Sequence, residues 1–298
     1  MIISEKSASE KRKEFRASLN SGRLLQFPGA YNPMVSMLIE QKGFDGVYVS
    51  GAVMANSLGL PDIGMTTLTE VSQMASAIAR VTSLPSIMDI DTGFGETMSV
   101  ARTVKELIYL GMAGCHMEDQ VNPKRCGHLD NKELVSVDQM VQKVKAASSA
   151  KDDENFVLIA RTDARGVEGL DKAIDRAKAY VDAGADMIFP EAMKDEKEFE
   201  AFRSALNVPL LANMTEFGKS RLLDKKELEN LGYNLVIYPV TTQRLAMHAV
   251  EKGLDTIQKE GTQEGLLAEM QTRKRLYEVL HYEDYNTYDS SIYNFKLH

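Results

Sequence analysis

The chain of 298 residues has no tryptophan, only two cysteines and eight prolines, and no apolar run long enough to span a membrane. Each scarcity excludes something. Two cysteines in unrelated surroundings, Cys115 in GMAGCHM and Cys126 in KRCGH, do not make a disulfide framework and point to a reducing compartment. Without about 18 consecutive apolar residues nothing is expected to cross a bilayer. The N-terminal MIISEKSASEKRKEF has no apolar stretch behind its charges, so no secretory leader is expected. Basic blocks are also missing: 35 Lys and Arg stand against 43 Asp and Glu, a net charge of −8, which leaves no footprint for nucleic acid or an anionic membrane surface. With 44% hydrophobic and 26% charged residues, the composition is that of an ordinary globular protein, expected in the cytoplasm and acting on small molecules.

Eight short β-rich runs recur: 24–30, 45–51, 85–93, 114–120, 156–163, 186–192, 209–215 and 235–241. Amphipathic stretches such as LTEVSQMASAIARV and GLDKAIDRAKAYVDAG separate most of them, with apolar residues three and four apart. Four helix-to-strand joints rhyme (KGFDGVYV, LGMAGCHM, AGADMIFP, LGYNLVIY), each with a Gly where a left-handed helix cap is wanted. Eight βα units imply a closed, parallel (β/α)8 barrel. No low-complexity linker divides the chain, so 1–298 reads as a single barrel domain, with 243–298 as a C-terminal helical extension and oligomer contact. Within that extension, helices are expected over roughly 243–259 and 263–280, followed by the tyrosine-rich tail YEDYNTYDSSIYNFKLH.

Side chains alternate along a strand, so Ile87, Asp89 and Asp91 share one face of PSIMDID while Met88 and Ile90 share the other. The same rule groups His116 with Glu118, Arg161 with Asp163, Phe189 with Glu191, and Asn213 with Thr215. Acids, amides and an arginine ending five strands at the carboxyl face of a barrel describe an active site. Asp89 and Asp91, with Glu118 opposite and Asp62 in the preceding loop, offer oxygen ligands only, which favours Mg²⁺ or Mn²⁺ over Zn²⁺.

The fourth strand leads into a connection of about fifteen residues, Val121 to Val135, before a helix with a capping-box start at Ser136 and Gln139. Most βα loops are about two to six residues long, so a lid is expected here. Lys124, Arg125 and His128 flank Cys126 and are expected to lower its thiol pKa, while Gly127 allows close backbone approach to a ligand.

KRCGH, with DIDTGFG before it and ARTDA, FPEA and NMTEFG after it, resembles the isocitrate lyase and phosphoenolpyruvate mutase superfamily, and the likeness runs from FPGAYN to MQTR. That resemblance implies Mg²⁺-dependent retro-aldol cleavage of (2S,3R)-2-methylisocitrate to pyruvate and succinate, in the methylcitrate route of propionate breakdown. It also implies a homotetramer whose last barrel helix is exchanged between subunits. By the family pattern, Asp89 and Asp91 hold the metal, with Asp62 and Glu118 in its outer shell. Ser50, Gly51 and Ala52 form the substrate turn, with Ala where the family has a second Gly. Cys126, Gly127, Arg161, Glu191, Asn213, Met214, Thr215, Arg244 and Arg273 contact substrate. Catalysis is carried by Cys126 as proton donor, with Lys124, His128 and Tyr48; Tyr48 is the candidate base, and a metal-bound hydroxide and Glu191 compete with it. Phe189 and Pro239 are expected to wall the substrate methyl group. A 2,3-dimethylmalate lyase, an oxaloacetate hydrolase and a non-catalytic binding barrel are the rival readings.

Overall fold

A computed structural model describes residues 4–293 apart from Asp130. The eight expected strands are present: β1 Leu25–Pro28, β2 Val47–Val49, β3 Ser86–Asp89, β4 Gly114–Glu118, β5 Val157–Thr162, β6 Met187–Pro190, β7 Leu211–Asn213 and β8 Leu235–Tyr238. All pairings are parallel, in two runs ordered β2-β3-β4-β5-β6 and β1-β8-β7. Single bridges at Gly29–Tyr48 and Ile188–Leu210 join the runs and close the barrel. At the four rhyming joints, Gly43, Gly111, Gly184 and Gly232 have φ of 77°, 91°, 107° and 75°, a region that a side chain strains.

Alternation sorts the core into two layers. Leu25, Phe27, Ile87, Val157, Ile159 and Met187 fill the barrel, and Phe15 and Leu19 of α1 (Ala8–Leu19) belong to the same interior cluster. Met88, Ile90, Leu158, Ala160 and Ile188 face outward onto the helices. Burying these apolar side chains supplies about 1.5–3 kcal/mol each, which fixes strand register and so fixes which side chains reach the barrel mouth.

The C-terminal extension departs from expectation. Helix α10 (Thr241–Glu260) buries only Gln243, and the second expected helix is broken. A 3-10 turn, Glu264–Glu269, precedes α11 (Arg273–Val279), because Thr272 adopts an extended backbone and caps α11 through Arg275 N–H at 3.1 Å. The tyrosine-rich tail forms α12 (Tyr282–Tyr293), with Tyr282 stacked on Tyr277; its last five residues lie outside those described.

Candidate active site

Strand β3 delivers Asp89 and Asp91 to the mouth. Asp91 has a left-handed backbone (φ 47°) and donates its N–H to Asp89 Oδ1 at 3.0 Å. Ser50 caps the short helix α3 (Gly51–Ser57), and Gly51 N–H donates to Asp89 Oδ2 at 3.2 Å. A Cβ at residue 51 would lie 2.8 Å from Asp89 Oδ2 and 3.1 Å from Asp91 Oδ1, so only glycine fits against the pair, and the neighbouring Ala52 is partly exposed. Burial pushes the Asp91 carboxyl up to about 6 against the pull of Lys124. For Asp89, burial works upward, but His116, Lys124 and Arg161 bring the net shift below the usual range.

Among the described residues no three His, Cys, Asp or Glu gather into a ready cage. Two adjoining buried carboxylates remain, and Asp91 Oδ1 faces the Lys124 ammonium. This donor set fits a Mg²⁺ held by one or two carboxylates and otherwise by water. Lys124 Nζ is 2.9 Å from Asp91 Oδ1 and also bonds Asp62. Burial opposes its charge, yet Glu118, Asp91, Asp89 and Asp62 hold its ammonium well above the ordinary lysine range. Glu118 lies buried 3.2 Å from Arg161 Nη2, with neither carboxylate oxygen hydrogen-bonded, and burial raises its pKa strongly.

Beneath the aspartates, Tyr48 Oη and His116 Nε2 are 2.7 Å apart, and His116 Nδ1 faces Asp89 Oδ1 at 3.7 Å. Burial lowers the imidazole to about 4, so it is neutral, and raises the phenol well above its ordinary value. A neutral imidazole that accepts the Tyr48 proton at Nε2 carries its own on Nδ1, toward Asp89. The sequence placed His116 on this face and gave it no role; its pairing with Tyr48 needed three dimensions to appear.

The Val121–Val135 connection is rooted in an antiparallel bridge, Gln120–Leu134, with Val121 N–H on Glu133 O at 2.8 Å and Val135 N–H on Asp119 O at 3.0 Å. Its tip lies over the mouth. A Cβ at Gly127 would come 2.3 Å from Arg161 Nη2 and 2.5 Å from Glu191 Cγ. His128 Nε2 is 2.7 Å from Glu191 Oε1, and its Nδ1 accepts Lys219 N–H at 2.9 Å. The Cys126 expectation is corrected: its pKa is raised, because burial outweighs the His128 N–H that favours the thiolate. Lys124 is committed to carboxylates, and Arg125 is exposed, with its backbone N–H and carbonyl bonded to the side chain of Gln120. Cys126 is therefore a thiol, the form a proton donor needs.

Arg161 Nε donates to Asp163 Oδ2 at 2.9 Å, and Nη2 to Asp163 Oδ1 at 3.2 Å; Glu191 stands 3.5 Å from Nη1. The guanidinium fork of Arg161, a residue expected to contact substrate, is thus taken by Asp163, with Glu118 and Glu191 beside it. Burial works against ionised Glu191, but Arg161 and His128 lower its pKa, which makes it a weak base. Asn213 Nδ2 is 3.3 Å from Glu191 Oε2, and Thr215 sits nearby at the partly exposed end of β7. Met214 is corrected: its side chain packs in the outer core, with Sδ accepting Leu223 N–H, so only its backbone borders the mouth. Phe189 is also corrected. Its ring is fully buried under the Arg161 guanidinium (5.1 Å) and edge-on to His116, so it forms the site's floor rather than a methyl-facing wall. Pro239 lies against Gly29, whose added Cβ would meet the Pro239 carbonyl.

Arg244, at the start of α10, bonds the Glu216 carboxylate at 2.7 Å and lies over Phe217, at the rim formed by the β7 loop. Arg273 is not brought to the mouth within this chain. It begins α11, which packs on α2 (Pro33–Gln41), and Arg275, two residues on, bonds Gln41 at the carboxyl end of that helix.

Residues 15–258 match the profile of the phosphoenolpyruvate phosphomutase family. The chain is 60% identical to a Corynebacterium glutamicum protein named "Probable 2-methylisocitrate lyase 1" over 96% of this chain and 94% of that one. Among solved structures it resembles 2,3-dimethylmalate lyase at TM-score 0.89 and 32% identity, covering 96% of both chains. It also resembles a phosphonopyruvate hydrolase complexed with oxalate and Mg²⁺ at TM-score 0.86 and 32% identity, over 94% of this chain and 98% of that one. A barrel with paired aspartates at one strand end, and a match of this extent in both sequence and fold, make the chain a member of the phosphoenolpyruvate mutase and isocitrate lyase superfamily.

Proposed function

We propose that the protein is a Mg²⁺-dependent carbon–carbon lyase that cleaves (2S,3R)-2-methylisocitrate to pyruvate and succinate, in the cytoplasm. The observation that carries this reading is the placement of Cys126 on a loop closed over the mouth, where Lys124 pairs with Asp91 and Gly127 lies against Arg161 and Glu191. Identity of 60% to a protein named for this activity, against 32–33% to a dimethylmalate lyase and an oxaloacetate acetylhydrolase, favours this substrate over the two rivals.

Cleavage requires a proton to leave the substrate's carbinol hydroxyl and another to reach the carbon released as succinate. Asp89 and Asp91 would hold Mg²⁺, which when bound polarises the hydroxyl and its neighbouring carboxylate; Mn²⁺ has the same ligand preference. Tyr48 accepts the hydroxyl proton while passing its own to His116 Nε2, and Asp89, facing Nδ1, partly offsets the burial that disfavours the transient imidazolium. The electron pair of the broken C–C bond goes to the succinate carbon, which takes the proton of Cys126 Sγ and leaves a thiolate. Lys124 and the Gly51 N–H hold the aspartates in place, His128 holds Glu191, and Ser50, Ala52, Gly127, Asn213 and Thr215 line the mouth as neutral donors. Arg161 and Glu191 form the charged floor, and Arg244 a cationic rim.

A single barrel domain with a C-terminal extension, assembled as a homotetramer that exchanges its last helices, is part of the same reading. No helix among the described residues is long and apolar enough to cross a membrane. The test is product release with Mg²⁺ and with EDTA: pyruvate from 2-methylisocitrate and from 2,3-dimethylmalate, glyoxylate from isocitrate, and oxalate with acetate from oxaloacetate. Metal-dependent pyruvate from methylisocitrate is expected, with kcat in Cys126→Ser lower by about 10²–10⁴-fold. Turnover of a different acid would replace the substrate, and an active Cys126→Ser would remove the thiol from the mechanism.

A further inference from the structure

Lys132 is hidden in the sequence as one more charge in HLDNKE, yet its side chain is 3% exposed. Its ammonium bonds two partners: the Gly127 carbonyl at 2.5 Å and Asp163 Oδ1 at 2.9 Å. A Cβ at Gly166, in the turn after β5, would lie 3.7 Å from Nζ, so the seat is built by the end of β5 and its turn. Asp163 is itself fixed by Asp119, which accepts its N–H at 2.9 Å. One end of the contact is rigid barrel, and the other is the peptide that follows Cys126.

We propose that Lys132 is a positioning residue that latches the Cys126 loop shut, and this rests on the reading of Cys126 as proton donor. Beyond its rooted ends, the side chains of Gln120, Lys124, His128 and Lys132 tie the loop down. Lys124 and His128 bond carboxylates of the mouth, and Gln120 holds the backbone of Arg125 near the loop's root. Lys132 fastens the backbone at Gly127, joining it to the carboxylate that orients Arg161. A buried ammonium is stable only while both partners are present, so opening the loop sends it to water. Closure and the aim of the thiol are therefore coupled through one side chain.

Lys132→Met keeps the length and removes the charge. Losing hydrogen bonds to a charged group shifts an open–closed equilibrium by about ten- to a hundredfold. The expected result is a similarly faster reaction of Cys126 with iodoacetamide, located by peptide mass spectrometry with buried Cys115 as internal control, together with a fall in kcat. Lys132→Arg should regain part of both, which general destabilisation would not produce. Alkylation at the wild-type rate, or a lower kcat without faster alkylation, overturns the latch. If the Met variant does not fold, Lys132→Gln is read by the same two criteria. The alkylation rate reports loop opening whether or not Cys126→Ser is inactive, so failure of the latch is distinguishable from failure of the proton-donor reading.

Discussion

Cys126 lies between Lys124, Arg125 and His128, and burial still raises its pKa, because charges adjacent in sequence are engaged elsewhere in space. The same lesson applies to Arg161, whose fork is filled by Asp163. At this scale Gly51 is a position where a side chain would disturb the paired aspartates. Its N–H orients Asp89, and a methyl group there would sit 2.8 Å from Asp89 Oδ2 and 3.1 Å from Asp91 Oδ1, pushing the two carboxylates out of line. Groups that orient metal ligands typically matter by about 10–100-fold in affinity, so Gly51→Ala should weaken Mg²⁺ binding by that factor, measured by titration calorimetry. Unchanged affinity in a folded variant would show that Asp89 and Asp91 do not hold the ion.

Elements reveal which parts of the sequence carried their own instructions. The barrel strands were legible because every second residue is apolar toward one layer: Ile87 inward and Met88 outward. Helix α6 (Val137–Ala150) was legible at its first residue, since Ser136 and Gln139 form the reciprocal cap, with Gln139 N–H on Ser136 Oγ at 3.2 Å and Ser136 N–H on Gln139 Oε1 at 2.9 Å. Ser136→Ala should cost about 1 kcal/mol, and Tm should fall by roughly 2 °C in thermal unfolding. An unchanged Tm would mean that packing of Met140 and Val144 holds the helix start without the cap. Helix α12 was not legible, because none of its residues is buried and it presents no apolar stripe to read. Asp89, Asp91 and Glu118 stood out in sequence because acids are rare at barrel strand ends. Lys132 and His116 did not, because their partners lie on other strands and a lone Lys or His has many ordinary placements.

For the whole molecule, the unsolved problem is α10. A twenty-residue helix with only Gln243 buried is bonded to its own barrel through its first turn and gains little from packing beyond it. Met247, Val250, Leu254 and Ile257 recur three and four apart, forming one exposed apolar stripe on α10, with Leu254 61% exposed. Exposed stripes of this kind mark surfaces that another chain covers. Arg273 adds to the argument: the resemblance assigns it to substrate, and within one chain it begins α11, which packs on α2. A neighbouring subunit that receives α10 would cover the stripe and move the segment following it. Leu254→Asp puts a carboxylate into the stripe that such a neighbour would cover, where an unpaired charge is costly. Light scattering of the unaltered protein should give four times the chain mass of 33.1 kDa, and Leu254→Asp should shift it toward the single-chain value with loss of pyruvate release. An unaltered protein that runs as a monomer and is fully active would confine the site to one barrel and leave the stripe as surface.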